Sequence, residues 1–340
     1  MRVGVVGYGY WGPNLVRNVA SQRAMILAMV ADGKEERRQK VREAYPHLSV
    51  VADGEELVTN PLLDAVIIAT PVATHYPLAK LALEHGKHVL VEKPLCISSE
   101  QARDLIALAN KVGKTLMVDH TFLFSPPVTA IHKILGSGNL GELTYYDSTR
   151  INLGLFQSDV NVLWDLAPHD LAIMDYLIGE QPVAVEASGF AHFHPERLDI
   201  AYMTLHFASR KMAHFNLSWM SPTKVRRVIL GGSRQMLVWD DLQQAEKIKI
   251  YNSGVEFMND DQRYELTPGY RIGDIYSPQV GQKEALAGVM DHFVQVSRGQ
   301  TPSLMDGEAA LRVILILEEA QQKLMAEQTR LSRLYRGNHP

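Results

Sequence analysis

Cysteine is almost missing from this chain: Cys96 is the single one among 340 residues. An intramolecular disulfide is therefore excluded, which fits a reducing compartment. Long apolar runs are missing as well. Stretches such as AVIIA at 65–69 fall far short of the roughly 20 residues needed to cross a bilayer. The opening MRVGVVGYGYWG lacks the charged start, extended apolar run and cleavage site of a secretory signal. Nor is there a surplus of charge. The formal net charge is −4, and no basic run interleaved with aromatics suggests nucleic acid. Internal repeats and low-complexity linkers are absent too. These absences lead to the expectation of a cytoplasmic globular protein with neither nucleic acid nor a membrane as partner.

What is present is a composition of 46% hydrophobic and 21% charged residues, the mixture of a globular chain long enough for two cores. The first third alternates short apolar runs (2–6, 26–31, 65–69, 88–91 and 115–118) with amphipathic stretches at 13–20, 34–44, 74–84 and 98–111. Thr74 and Ser98 supply helix-start signals for the last two. This alternation predicts a doubly wound parallel sheet covered by helices on both faces, over residues 1–121.

After about Asp119 the pattern changes. A helix at 127–135 precedes strand-like runs at 143–150, 183–193, 200–207, 211–219, 225–230 and 236–239, and two helices at 282–297 and 306–327 close the chain. In AYMTLHF at 201–207, Tyr202, Thr204 and His206 share one face. Residues 122–340 therefore read as an α+β domain with an antiparallel sheet, one face covered and one available for contact. A one-sided sheet is a natural association surface, so a homodimer or homotetramer is expected.

Gly7-Tyr8-Gly9-Tyr10-Trp11-Gly12 stands directly after the strand RVGVV and before a helix opened by Pro13. In that position Gly7 permits the tight turn, Gly9 lets backbone approach a pyrophosphate, and Gly12 lets helix pack on strand. The loop, with Tyr10 and Trp11, is the expected dinucleotide contact, the diphosphate sitting on the helix N-terminus. Asp32, about 20 residues beyond Gly12 at the end of the second strand, suits the acid that accepts the adenosine ribose hydroxyls. A carboxylate there repels a 2′-phosphate and favours NAD. Lys34, Arg37 and Arg38 read as a solvated helix face, but they could also offset that repulsion, which leaves NADP open.

Glu92-Lys93-Pro94 follows the strand HVLV at its carboxyl end, the edge where open α/β sheets bind ligands. An ammonium there can stabilise charge developing on a substrate oxygen; the other reading of Lys93 is an exposed lysine paired with Glu92. In Asp165-Leu166-Ala167-Pro168-His169, a helix beginning near Pro168 puts the carboxylate and the imidazole on one side. Histidine titrates near neutrality and can accept a hydroxyl proton. The alternative is that Asp165 caps the helix and His169 packs in a core.

GYGYWG at 7–12, ATPVATH at 69–75, VEKPL at 91–95 and DLAPHD at 165–170 together resemble the glucose–fructose oxidoreductase/inositol dehydrogenase (Gfo/Idh/MocA) family, in motif order over the whole chain. The resemblance implies a Rossmann domain followed by a domain with an open, mostly antiparallel sheet. It implies Lys93, Asp165 and His169 as the catalytic set. It also implies that Ala69, Thr70, Pro71 and His75 line the cofactor cleft, with Glu92 near the nicotinamide ribose and His120 facing the cleft. The activity implied is NAD(P)-dependent hydride transfer to or from a secondary alcohol of a sugar, polyol or nucleotide sugar. Transient oxidation with elimination or glycoside cleavage is the enzymatic alternative, and a non-catalytic NAD(P) sensor is the other. No metal is expected: the pair His192 and His194, on the strand expected at 183–193, has no further ligand at a recognisable spacing. Cys96 reads as a small buried hydrophobe.

Overall fold

The computed structural model describes residues 1–154, 156, 160–194, 197–256 and 269–337. The chain divides into two compact units, Met1–Phe124 with Lys283–Glu318, and Ser125–Gln282 with Glu319–Pro340. The sequence pattern marks one switch near 121; in the structure the segment Lys283–Glu318 belongs with the first unit.

The first unit runs β1 (Arg2–Val6), α1 (Gly12–Ser21), β2 (Ile26–Ala31), α2 (Glu35–Ala44), β3 (Ser49–Val51), α3 (Gly54–Thr59), β4 (Ala65–Ile68), α4 (His75–Glu84), β5 (His88–Glu92), α5 (Ser99–Val112) and β6 (Leu116–Asp119). Its strands form one parallel sheet in the order β3-β2-β1-β4-β5-β6. This is the doubly wound order of dinucleotide-binding folds, with its switch point at β1 and β4. Val66, Ile67, Ile68, Val89, Leu90 and Val91 are all buried, which is why these strands are continuous apolar runs. The sequence reading misses β3 and α3. Three residues are too few to show periodicity, and α3 is a short helix started by Asp53, whose side chain accepts from Glu55 N at 2.9 Å.

The second unit holds α6 (Pro126–Gly136), β7 (Leu143–Leu153), α7 (Val162–Ile178), β8 (Pro182–Phe190), β9 (Ile200–Phe207), β10 (Met212–Ser218), β11 (Met220–Gly232), β12 (Met236–Asp240), β13 (Ile248–Tyr251), β14 (Gly254–Glu256), β15 (Gly269–Arg271) and β16 (Ile275–Tyr276). An eight-stranded sheet runs β16-β13-β12-β11-β7-β10-β9-β8, antiparallel except where β7 meets β10. The alternation in β9 is as the sequence implies: Ala201, Met203, Leu205 and Phe207 are buried while Tyr202, Thr204 and His206 face away from that core. Helix α8 (Ala285–Ser297) lies in the first unit, and α9 (Gly307–Gly337) begins there and ends in the second.

Helix α7 begins earlier than Pro168. Asn161 caps it, its side chain accepting from Trp164 N at 3.2 Å, and Pro168 lies inside. The proline forgoes one helical hydrogen bond, but the helix is held by packing: Leu163, Ala167, Leu171, Ile173 and Met174 are buried. It is also held by charge. Arg150 on β7 donates Nε and Nη2 to Asp170 Oδ2 and Oδ1 at 2.7 and 2.8 Å, and both side chains are buried. Such a bidentate pair fixes orientation as well as distance. Removing one partner strands a buried charge, so Asp170→Ala should cost about 3–5 kcal/mol in urea denaturation, whereas the double change Arg150→Met/Asp170→Leu should cost far less. Equal losses in both variants would show that the pair does not anchor α7.

Candidate functional site

In the first unit the glycine loop is set by close backbone approach. Gly7 has φ of 99°, donates its N–H to Ala31 O at 2.7 Å, and would place a Cβ 2.4 Å from Ala69 O. Only glycine fits there. A Cβ on Gly12, the first residue of α1, would lie 2.3 Å from Gly7 O. Gly9 is different: the atoms nearest a Cβ there belong to the Arg37 guanidinium, from 3.4 Å, so no backbone crowds it. Tyr10 is 92% exposed and Trp11 37%. Pro13 occupies the first turn of α1, where no N–H is needed.

Asp32 is buried at the end of β2 and organises this loop. Its carboxylate accepts Tyr8 N at 2.7 Å and Lys34 N at 2.8 Å. Arg37 is not on a purely solvated face: its Nη1 lies 3.3 Å from Asp32 Oδ2, and Arg38 Nη1 donates to Asp32 O at 2.8 Å. Each carboxylate oxygen can accept more than one hydrogen bond, so Asp32 retains capacity for a ribose hydroxyl. The open Gly9 backbone, the helix N-terminus behind it and this acid fit a dinucleotide.

Ala69 leaves β4 with its N–H on Val6 O at 2.7 Å, and Thr70 Oγ1 accepts from Thr74 Oγ1 at 2.6 Å. Pro71 precedes a turn into α4. His75 is buried, with Nδ1 and Nε2 each 2.8 Å from a carbonyl oxygen, those of Pro94 and Thr70. It clasps the segment after β4 to the segment after β5. Glu92 ends β5, and the Lys93–Pro94 peptide is cis. Burial and the neighbouring Asp119 carboxylate push Glu92 well above the ordinary carboxylate range. His120 is buried. Cys96 is buried as well, and burial pushes its thiol up to about 12, as for an inert packing residue.

In the second unit Asp165 and His169 lie one turn apart on α7 and so on the same side. Asn161, not Asp165, is the helix cap. Asp165 Oδ2 accepts the indole N–H of Trp219 at 3.1 Å, and Trp219 is 1% exposed. Trp219 stands between β10 and β11, and in the sequence a tryptophan there carries no sign of its distant partner. Phe156 packs against Trp219 at 5.3 Å and Phe193 against Phe156 at 5.5 Å. His192 and His194 lie beyond β8 rather than on it. His192 Nδ1 is 2.7 Å from Asp199 Oδ1. Among the described residues no group of three or more His, Cys, Asp or Glu could hold a metal ion, and no helix is long and apolar enough to cross a membrane.

A parallel sheet in this order, with a glycine loop and a buried acid at its switch point, defines a dinucleotide-binding class of fold. Residues 1–120 match the family model described as an oxidoreductase family with an NAD-binding Rossmann fold, and residues 100–238 match the GFO/IDH/MocA C-terminal domain. The chain belongs to the Gfo/Idh/MocA family of oxidoreductases. It is 31% identical over 285 residues to the uncharacterised oxidoreductase YdgJ of Escherichia coli, covering 79% of each chain. Its similarity to the UDP-N-acetylglucosamine 3-dehydrogenase of Acidithiobacillus ferrooxidans is 26% identity over 323 residues, 92% of this chain and 94% of the relative. The solved structure of that enzyme superposes with a TM-score of 0.80, covering 96% of this chain and 99% of that one. The 2,7-anhydro-N-acetylneuraminate hydratase of Escherichia coli is 27% identical over 273 residues, 75% of this chain and 72% of its own.

Gly7→Ala adds a methyl where Ala69 O already sits, at a backbone angle that costs a non-glycine residue about 1–3 kcal/mol. NAD affinity, followed by fluorescence titration, should fall by about tenfold or more. Undiminished affinity would mean that the dinucleotide binds elsewhere.

Proposed function

We propose that this protein transfers a hydride between NAD and a secondary alcohol of a carbohydrate, with a nucleotide sugar as the first substrate class to test. The observation that carries the reading is the placement of Asp165 and His169 one turn apart on the same side of α7, with Trp219 holding Asp165 by its indole N–H. An oriented carboxylate beside an imidazole is the arrangement of a general base. Support for the substrate class comes from the UDP-N-acetylglucosamine 3-dehydrogenase, which is similar over nearly the whole chain.

In this reading His169 takes the proton of the substrate hydroxyl, and Asp165 orients the ring and stabilises the charge it gains. Lys93, at the carboxyl end of β5, polarises the same oxygen and stabilises negative charge developing there. The amides around Gly7, Gly9 and Gly12, with the N-terminus of α1, hold the diphosphate. Tyr10 and Trp11 flank it, and Asp32 accepts the adenosine ribose hydroxyls. Ala69, Thr70, Pro71 and His75 line the cofactor site, with Glu92 toward the nicotinamide ribose. When bound, NAD supplies the hydride acceptor. The first unit is thus the dinucleotide domain, and the second holds the substrate. The outward face of β9, with Tyr202, Thr204 and His206, is the surface on which a homodimer or homotetramer would form.

The similarity to a hydratase favours a second reading, in which oxidation is transient and re-reduction follows elimination. A screen of nucleotide sugars, free sugars, polyols and sugar acids distinguishes the two. NADH accumulating with one class supports net dehydrogenation; product formed without net NADH supports the second reading. Lys93→Ala should lower turnover by about 10²–10³-fold, the loss typical of one stabilising donor, with NAD affinity close to that of the parent. Near-normal turnover in that variant would remove Lys93 from the chemistry.

A further inference from the structure

Glu92 and Asp119 close β5 and β6 as register partners on neighbouring parallel strands. Asp119 is 1% exposed. Glu92 is half-buried with its Oε1 closed to solvent, and two carboxylates this close and this shielded cannot both ionise cheaply, because repulsion adds to desolvation. Their hydrogen bonds are unequal. Asp119 Oδ1 accepts from Thr121 Oγ1 at 2.6 Å, and the same carboxylate is served by the Thr121 amide and the Trp11 indole. Glu92 Oε2 accepts the Lys93 amide at 3.3 Å. The remaining oxygens, Glu92 Oε1 and Asp119 Oδ2, are closed to solvent and unsatisfied if both groups are anions. One proton between the two groups resolves this: the acid with fewer donors keeps it and donates to the one with more.

We propose that Glu92 is a neutral acid that donates its proton to an ionised Asp119, and that Asp119 is a positioning residue tying the glycine loop, through Trp11, to the segment that carries Lys93. The inference rests on the cofactor role given above to the glycine loop and Glu92. The charged group facing the pair is Lys93; Thr121 and Trp11 contribute uncharged donors. Because Glu92 is neutral, it places no full negative charge beside the Lys93 ammonium. Burial and Asp119 raise the pH at which Glu92 ionises. Burial raises Asp119 as well, so the one-proton bridge spans the window above the pH at which Asp119 ionises and is lost as pH rises through the raised value of Glu92. Its loss adds a second buried anion beside the loop and weakens dinucleotide binding.

The test uses the full-length protein. Infrared spectroscopy at neutral pH should show the carbonyl stretch of a buried carboxylic acid, and this band should be missing in Glu92→Gln. In the parent the band should disappear as pH is raised, and NAD affinity should fall with it by about tenfold. In Glu92→Gln, where an amide donates to Asp119 with no proton to lose, that alkaline fall should vanish. A parent without the band, a band that survives Glu92→Gln, or the same alkaline fall in the variant would overturn the proposal. The infrared result is read without substrate or cofactor. Failure of every alcohol in the substrate screen would thus strike the dehydrogenase reading and leave the shared proton standing.

Discussion

Gly7 lies where the ends of β2 and β4 converge, with its N–H on Ala31 O and no room for a side chain against Ala69 O. That close approach determines how the chain turns out of β1, and hence where α1 begins. The open Gly9 amide, the free first turn of α1 and the Tyr8 amide on Asp32 all follow from it. Ala69 enters the same arrangement from the other side, through its N–H on Val6 O. A parallel sheet leaves unpaired amides and carbonyls at its carboxyl edge, and the switch in strand order opens a crevice there.

The second unit solves a different problem, the orientation of a single helix. Apolar packing buries much of α7, all round at residues 170–174, but tolerates small rotations, since the hydrophobic effect is not directional. The bidentate Arg150–Asp170 pair is directional, and it sits next to His169 in sequence. Rotation of α7 is thereby limited at the turn that carries Asp165 and His169, and Trp219 restrains Asp165 from the sheet. The backbone of this turn and the Asp165 carboxylate are thus fixed by the fold itself.

Much of this was legible beforehand, for identifiable reasons. Strands buried on both faces read as uninterrupted aliphatic runs, so β1, β4 and β5 stand out, and the alternation in β9 separates Tyr202, Thr204 and His206 from the core. Short elements such as β3 and α3 escape because too few residues sample the period. The sequence puts the start of α7 too late because Pro168 looks like a first-turn residue, while Asn161, the actual cap, stands well before it. Arg37 and Arg38 look like an exposed helix face until α2 is docked beside β2. The strand expected to carry His192 and His194 stops at Phe190, where Asp199 draws His192 into a local pair instead.

By itself the sequence determined the doubly wound sheet, the glycine loop and the membership of the family, because these depend on local periodicity and on residues close together in the chain. Only the tertiary structure decided which groups meet across distance: Trp219 with Asp165, Arg150 with Asp170, His75 with Pro94 and Thr70, and Glu92 with Asp119. The physical reason is that a hydrogen bond or a shared proton depends on a few tenths of an ångström between particular atoms. Strand register and helix docking set such distances, and the pattern of residue types along the chain does not encode them.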